Sequence, residues 1–266
     1  LTFDSRTNDN KSINLTANSL TIDLGSEITA NDKGYLANQG PGAGTVGDSG
    51  GSYGGTGGGT SRGPYGSIIE PTDLGSGSST GNDGGGAIFL NISGTSTIDG
   101  KLTSNGTGGA GAGAGGSIYI ITDTLTGSGP ITASGGQGTF SGDGAGGGGR
   151  IAVYYDTYSF TGTIEATGGD STGDGNEGGA GTVYLKDNAQ DYGSLMIINQ
   201  PDFTVDDETI LNSSFLGGNH LVNLTITNGS DVDINSYLNI TNLKILSSSK
   251  LTHSRNTDSI VYRLNI

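Results

Sequence analysis

Apolar residues along this chain fall in short alternating runs. In Ala87-Ile88-Phe89-Leu90-Asn91-Ile92 the period of two puts Ile88, Leu90 and Ile92 on one side of an extended strand, which is how a strand with one buried face reads. A five-residue pattern recurs four times: Gly86-Ala87-Ile88-Phe89-Leu90, Gly116-Ser117-Ile118-Tyr119-Ile120, Gly149-Arg150-Ile151-Ala152-Val153 and Gly181-Thr182-Val183-Tyr184-Leu185. The glycines are 30, 33 and 32 residues apart. In each copy a glycine tract ends, one residue follows, and two aliphatics spaced by two begin a strand. Stacking the copies builds a continuous ladder of Ile, Val and Leu, the arrangement of a repeat protein.

A second set of apolar residues follows each strand before the next glycine tract: Ile98 and Leu102, Leu125 and Ile131, Phe160 and Ile164. The spacing predicts coils of two or three short strands, each closed by a glycine-rich excursion on one face. A tighter pattern lies outside the glycine zone: Leu20-x-Ile22 with Ile28, Leu224-x-Ile226 with Val232, and Leu243-x-Ile245 with Leu251, the last two 19 residues apart. It reappears inside the zone as Leu90-x-Ile92 with Ile98. The expected fold is all-β, a right-handed parallel β-helix with glycine-rich excursions, its hand taken from the general preference of parallel crossovers. The expected divisions are 1–187 for coils with insertions, 188–218 for an irregular transition, and 219–266 for shorter coils leading into a next repeat.

The ends bear on that last expectation. Leu251-Thr252-His253-Ser254-Arg255-Asn256-Thr257-Asp258 resembles Leu1-Thr2-Phe3-Asp4-Ser5-Arg6-Thr7-Asn8-Asp9, and Leu264-Asn265-Ile266 resembles Ile13-Asn14-Leu15. The chain therefore reads as one unit of a tandem array plus the beginning of the next.

Composition alters the picture in three ways. With 53 glycines and 31% hydrophobic residues among 266, the bulk numbers suggest disorder, and only the phase of the aliphatics argues otherwise. The absence of cysteine removes disulfides and thiolate metal sites. A net charge of -15 disfavours nucleic acid and anionic membrane surfaces as partners, and no apolar run is long enough to span a bilayer. No basic-then-apolar leader opens the sequence, so the expectation is a chain processed or cut from something longer.

Several phrases together resemble a known kind of sequence: Asp32-Lys33-Gly34-Tyr35, Gly40-Pro41-Gly42-Ala43-Gly44, Pro71-Thr72-Asp73-Leu74-Gly75-Ser76-Gly77, Gly146-Gly147-Gly148-Gly149-Arg150-Ile151-Ala152-Val153-Tyr154-Tyr155 and Gly178-Gly179-Ala180-Gly181-Thr182-Val183-Tyr184-Leu185-Lys186. Their succession is similar to the glycine-rich repeat regions of very large bacterial surface, adhesin-like proteins. The resemblance implies an extracellular or cell-surface scaffold whose partners are neighbouring copies. It implies no catalytic residues.

Candidate chemistry is sparse. The acidic tract around Asp170, Asp174, Asn176 and Glu177 offers oxygen ligands on a glycine backbone, which suits calcium, although its spacing is neither that of an EF-hand nor of a nine-residue calcium repeat. The competing reading is a solvated turn. Asp48, Asp83 and Asp143 could join only if their tracts converge. Tyr35, Tyr53, Tyr65, Tyr154, Tyr155 and Tyr158 could stack on cell-surface glycans or protein partners. Tyr119 and Tyr184, at matched positions, suggest instead a ladder on the sheet surface. Asp231 and Asp233 form a carboxylate pair of the sort a glycan-cleaving β-helix, tailspike or polysaccharide lyase, would need. Surface turns explain such acids equally well, Arg150 reads as a loop-to-strand anchor, and the expectation is a structural or adhesive protein with no enzyme activity.

Overall fold

A computed structural model describes residues 12–172, 176–200 and 208–253, together with the backbone of Leu264 and Asn265. The protein is all-β, with no helix and 41% strand among the described residues. Strands numbered along the chain form three sheets. The largest contains β1 (Ile13–Ala17), β2 (Leu20–Ile22), β4 (Ala87–Ile98), β6 (Ser117–Gly127), β8 (Arg150–Phe160), β10 (Thr182–Asp187), β11 (Ser194–Ile198), β13 (His220–Thr227), β15 (Leu238–Ile245) and β17 (Leu264–Asn265). Its order is β1-β4-β6-β8-β10-β11-β13-β15-β17, with β2 on the far end of β4. A four-stranded sheet runs β3 (Glu27–Thr29), β5 (Lys101–Thr103), β7 (Ile131–Thr132), β9 (Ile164–Glu165), and a three-stranded sheet runs β12 (Thr209–Leu211), β14 (Asp231–Ile234), β16 (Lys250–His253).

The four glycine-led patterns lie in register. Ile88 pairs with Ile118, Ile118 with Ile151, and Ile151 with Val183, all between parallel strands. Ile28, Leu102, Ile131 and Ile164 make the facing row in the four-stranded sheet. These two rows are buried together in one core. Full burial of such a side chain contributes roughly 1.5–3 kcal/mol, so a row of four holds neighbouring strands in phase. The shorter pattern also registers, with Leu224 opposite Leu243, Ile226 opposite Ile245 and Val232 opposite Leu251.

One expected correspondence is shifted. Ile13 and Leu15 stack on Ile88 and Leu90, whereas Leu20 and Ile22 stack on Ser96 and Ile98, and Ile28 on Leu102. β1 and β2 both pair with the single long strand β4, Ala17 opposite Ile92 and Leu20 opposite Ser96, so the same tripeptide spacing arises in two different phases.

The stretch 188–218 contains β11 and β12 and holds the main topological event. β10 and β11 are antiparallel, while every other strand pairing is parallel among the described residues. Val183 faces Met196 and Tyr184 faces Leu195, so the pairing conserves faces, but the buried face changes. Val183 belongs to the first core, whereas Tyr184, Leu195, Ile197, Leu224 and Ile226 belong to a second. Reversing strand direction and buried face together is a half turn about the stacking direction. The sheet continues through it, with one core on each side.

Candidate functional site

The glycine tracts, expected as excursions on one face, pack against one another over much of their length, with only turns such as those at Gly47, Gly63, Gly81 and Gly142 open to solvent. Their backbone hydrogen bonds repeat every three residues. Gly144 and Gly147 donate to Asp48 and Gly51; Ala145 and Gly148 donate to Asn176 and Gly179; Gly146 and Gly149 donate to Gly136 and Ala133. Three successive N–H groups therefore reach three different neighbours, at 3.0 Å for Gly146, 2.9 Å for Gly147 and 2.9 Å for Gly148. A three-residue period without internal hydrogen bonds is that of the polyproline II helix, which needs outside partners for every N–H and C=O. Here the partners are two other glycine tracts and the incoming arm of the same excursion, at Ala133 and Gly136. The same relation recurs where each pattern begins: Gly86, Gly116, Gly149 and Gly181 donate to the carbonyls of Ala30, Ser104, Ala133 and Ala166.

Such segments approach too closely for side chains. A Cβ on Gly147 would lie 2.1 Å from the Gly55 carbonyl oxygen, and one on Gly178 would lie 2.0 Å from that of Gly146. Glycine is required there by contact rather than by a left-handed φ, since both residues lie outside that region of φ. The positions between are filled by small residues, and Ala112, Ala114, Ala145 and Ala180 are buried among the tracts.

The longest tract also covers the second face of β6, β8 and β10. The residue after each pattern glycine, Ala87, Ser117, Arg150 and Thr182, forms a buried row there. Arg150 is fully buried, donates from Nε to the Tyr65 carbonyl at 2.9 Å and from Nη1 to Thr182 Oγ1 at 3.2 Å. Its guanidinium lies 5.5 Å from the Tyr53 ring and 5.2 Å from that of Phe215, which supplies cation–π attraction in a desolvated place. Burial lowers its pKa to about 10, countered partly by Tyr53, Tyr65 and Asp73. Tyr53 Oη bonds Ser117 Oγ at 2.7 Å, and Tyr65 Oη bonds Ser76 Oγ at 2.8 Å. Burial pushes both phenols well above the ordinary tyrosine range. Tyr53 is 0% exposed, so it is withdrawn from the contact surface expected of it, and Tyr65 is committed to the same interior cluster.

The other tyrosines separate into two groups. Tyr154 joins a row of rings, Phe89–Tyr119 at 5.0 Å, Tyr119–Tyr154 at 5.7 Å and Tyr154–Tyr184 at 6.0 Å. Ala152 occupies the place directly between Tyr119 and Tyr184, and its small side chain leaves room for Tyr154 to lean across from the next position. Tyr155 and Tyr158 sit 5.1 Å apart, with Tyr158 exposed. Tyr35 is half-buried beside Gly40.

The acidic candidates are scattered. Asn176 and Asp48 do converge, on a polar pocket of about 300 Å³ also lined by Ser49, Thr60 and Gly142, and Asn176 Nδ2 donates to the Gly142 carbonyl at 3.0 Å. Asp170 instead continues a ladder with Gln137, and Glu177 is half-buried. Asp174 lies outside the described residues. Among the described residues no group of three or more His, Asp or Glu side chains is placed to hold a metal ion. Asp231 is engaged by Lys250 at 2.7 Å, and Asp233 is 7% exposed. Glu208 has its carboxyl pushed up by burial and by these two neighbours.

Neither a family model, nor a curated protein, nor a solved structure matches the chain.

The buried row Ala87–Ser117–Arg150–Thr182 was not found from sequence, nor was it apparent that Leu224, Ile226 and Val232 belong to a core separate from that of Ile88 and Ile118. The only signal for the buried row is that the residue after each pattern glycine is small or hydrogen-bonding, a cue too weak to distinguish a covered sheet from an open one.

Proposed function

We propose that this chain is a mechanical module: a right-handed parallel β-helix that serves as a stiff repeat unit in a large extracellular or cell-surface protein, without enzymatic activity. The observation that carries this reading is the three-way hydrogen bonding among glycine tracts. Segments that would otherwise be flexible are tied on several sides at once by bonds of 2.6–3.0 Å, as at Gly144 through Gly149. Backbone packed against backbone offers a ligand few side chains, but it resists shear and denies proteases an extended strand. In-register rows of Ile, Leu and Val add stiffness along the stack. Neighbouring copies of the unit are its partners, and the acidic surface keeps unassembled chains soluble.

Electron microscopy of native material from the source, with antibody against this chain, tests the reading. Labelled fibres or a stalk on the cell surface are expected. Label confined to compact soluble particles would refute it.

Glycan contact is the alternative, favoured by the exposed Tyr158 beside Tyr155. A glycan array probed with the chain and with Tyr158→Ala tests it: binding lost in the variant supports contact there.

A further inference from the structure

We propose that successive units in the array share one continuous sheet and that each unit is rotated by a half turn about the stacking direction relative to the one before. The inference rests on the tandem reading and adds the geometry of the junction, so the two can fail separately.

Three observations lead to it. First, β17 pairs parallel with β15, Leu264 opposite Leu238 and Asn265 opposite Asn239. Leu264-Asn265-Ile266 is the stretch that resembles Ile13-Asn14-Leu15, the start of β1. The strand on β15 therefore marks where the next unit's β1 belongs.

Second, the side-chain parity fits. Ile13 is 2% exposed and Asn14 is exposed, while Leu238 is 0% and Ile240 is 4% exposed. Placing the next unit's Ile13 on Leu238 and its Leu15 on Ile240 continues a buried row. A slip of one residue would put Asn14 into that row, because the strand period is two. The second core thus passes without a break into the first core of the following unit.

Third, each unit contains one antiparallel step. β1, β4, β6, β8 and β10 share a direction, and β11, β13 and β15 share the opposite one. Since the next β1 runs parallel to β15, all its following strands begin in the reversed direction, with the core on the reversed face. One reversal per unit cannot cancel within the unit, so orientation alternates and repeats only after two. Each unit adds the eight strands β1, β4, β6, β8, β10, β11, β13 and β15 to the sheet. At the usual 4.7–4.9 Å between strands, that is a rise of about 38 Å per unit. The glycine bundle lies at the leading ends of β6, β8 and β10, where Gly116, Gly149 and Gly181 enter the strands. It must therefore project from alternating edges of the array.

The test is cryo-electron microscopy of a two-unit chain, residues 1–250 joined directly to 1–266, so that Lys250 is again followed by Leu-Thr. One continuous particle is expected, with equivalent points about 38 Å apart along the stack and the two glycine bundles on opposite edges. A continuous particle with both bundles on the same edge would overturn the half turn while leaving the array standing. Two separate bodies joined by a flexible connection would overturn the array reading itself. Cross-linking gives a second readout. The chain lacks cysteine, so cysteines introduced at Asn239 of the first unit and Asn14 of the second report only on the junction. They should couple readily, and so should Thr241 with Thr16, whereas Tyr237 with Thr16, which an antiparallel junction centred on the same Asn239 and Asn14 would bring together, should not.

Discussion

Gly147 lies at the centre of the glycine bundle, and Gly147→Ala should destabilise the protein sharply. The added Cβ would stand 2.1 Å from the carbonyl oxygen of Gly55, a backbone atom that cannot swing aside. Relief to even a strained contact separates the two segments by nearly 1 Å, and a gap of about that size forfeits roughly half of each van der Waals contact beside it. Gly54 and Gly55 both donate to the Gly148 carbonyl, at 2.8 and 2.9 Å, so the movement stretches the bonds next to the new methyl. Overpacking costs about 1–3 kcal/mol and an orphaned buried bond a similar amount, which sets an expected loss of about 3 kcal/mol or more. At roughly 2–4 °C per kcal/mol for a chain of this size, Tm falls by about 6–12 °C. Two control glycines separate contact from conformation. Gly63 has nothing within 4 Å and no positive φ, so Gly63→Ala should leave Tm unchanged or raise it slightly, by limiting the unfolded chain. Gly25 has open space but φ of 84°, so Gly25→Ala should cost only about 1–2 kcal/mol of backbone strain. Circular dichroism melts of all three variants provide the comparison. A Gly147→Ala loss no greater than that of Gly25→Ala would refute close packing as the reason for the tracts.

Further expectations concern the buried cluster and the acids. Arg150→Ala should lower Tm strongly, since it empties a fully buried site and leaves the Tyr65 carbonyl and Thr182 without their donor; an effect within about 1 °C would show the cluster to be dispensable. Folded-state pKa values raised for Tyr53, Tyr65 and Tyr154 mean that the unfolded chain loses these protons first. Stability is therefore fully present below pH 10 and falls as pH rises above it, with Arg150, whose lowered pKa acts in the opposite sense, offsetting only part. Urea unfolding between pH 9 and 12 reads this, and Tyr53→Phe should flatten the decline. The raised carboxyl of Glu208 makes its charged form unfavourable in the fold, so Glu208→Gln should raise Tm at pH 7, and the difference should vanish below the carboxylate range. Calcium held by Asp170, Asn176 and Glu177 would raise Tm as its concentration exceeds the dissociation constant; identical melts in millimolar calcium and in chelator would remove that reading.

What the sequence determined is what repeats along it. A strand's period of two and the spacing of Gly86, Gly116, Gly149 and Gly181 were enough to place Ile88, Ile118, Ile151 and Val183 in one row, because in-register parallel stacking converts sequence phase directly into neighbourhood. The pairing of Leu224 with Leu243 followed in the same way from a 19-residue spacing. Tertiary structure alone decided the rest. That the glycine tracts pack against one another depends on which segments lie beside them, and glycine has no side chain whose pattern could announce a partner. Arg150 reads as a loop-to-strand anchor, but Tyr53 and Tyr65 read as contact residues until their tract is laid over the sheet and packs them with Arg150. The half turn at β10 and β11 is invisible for a related reason: alternation marks two faces of a strand, but both faces of this sheet are covered somewhere along its length. Which of them becomes core is set by the direction in which the chain returns after Asp187, where the antiparallel step puts Leu195 beside Tyr184 and Met196 beside Val183.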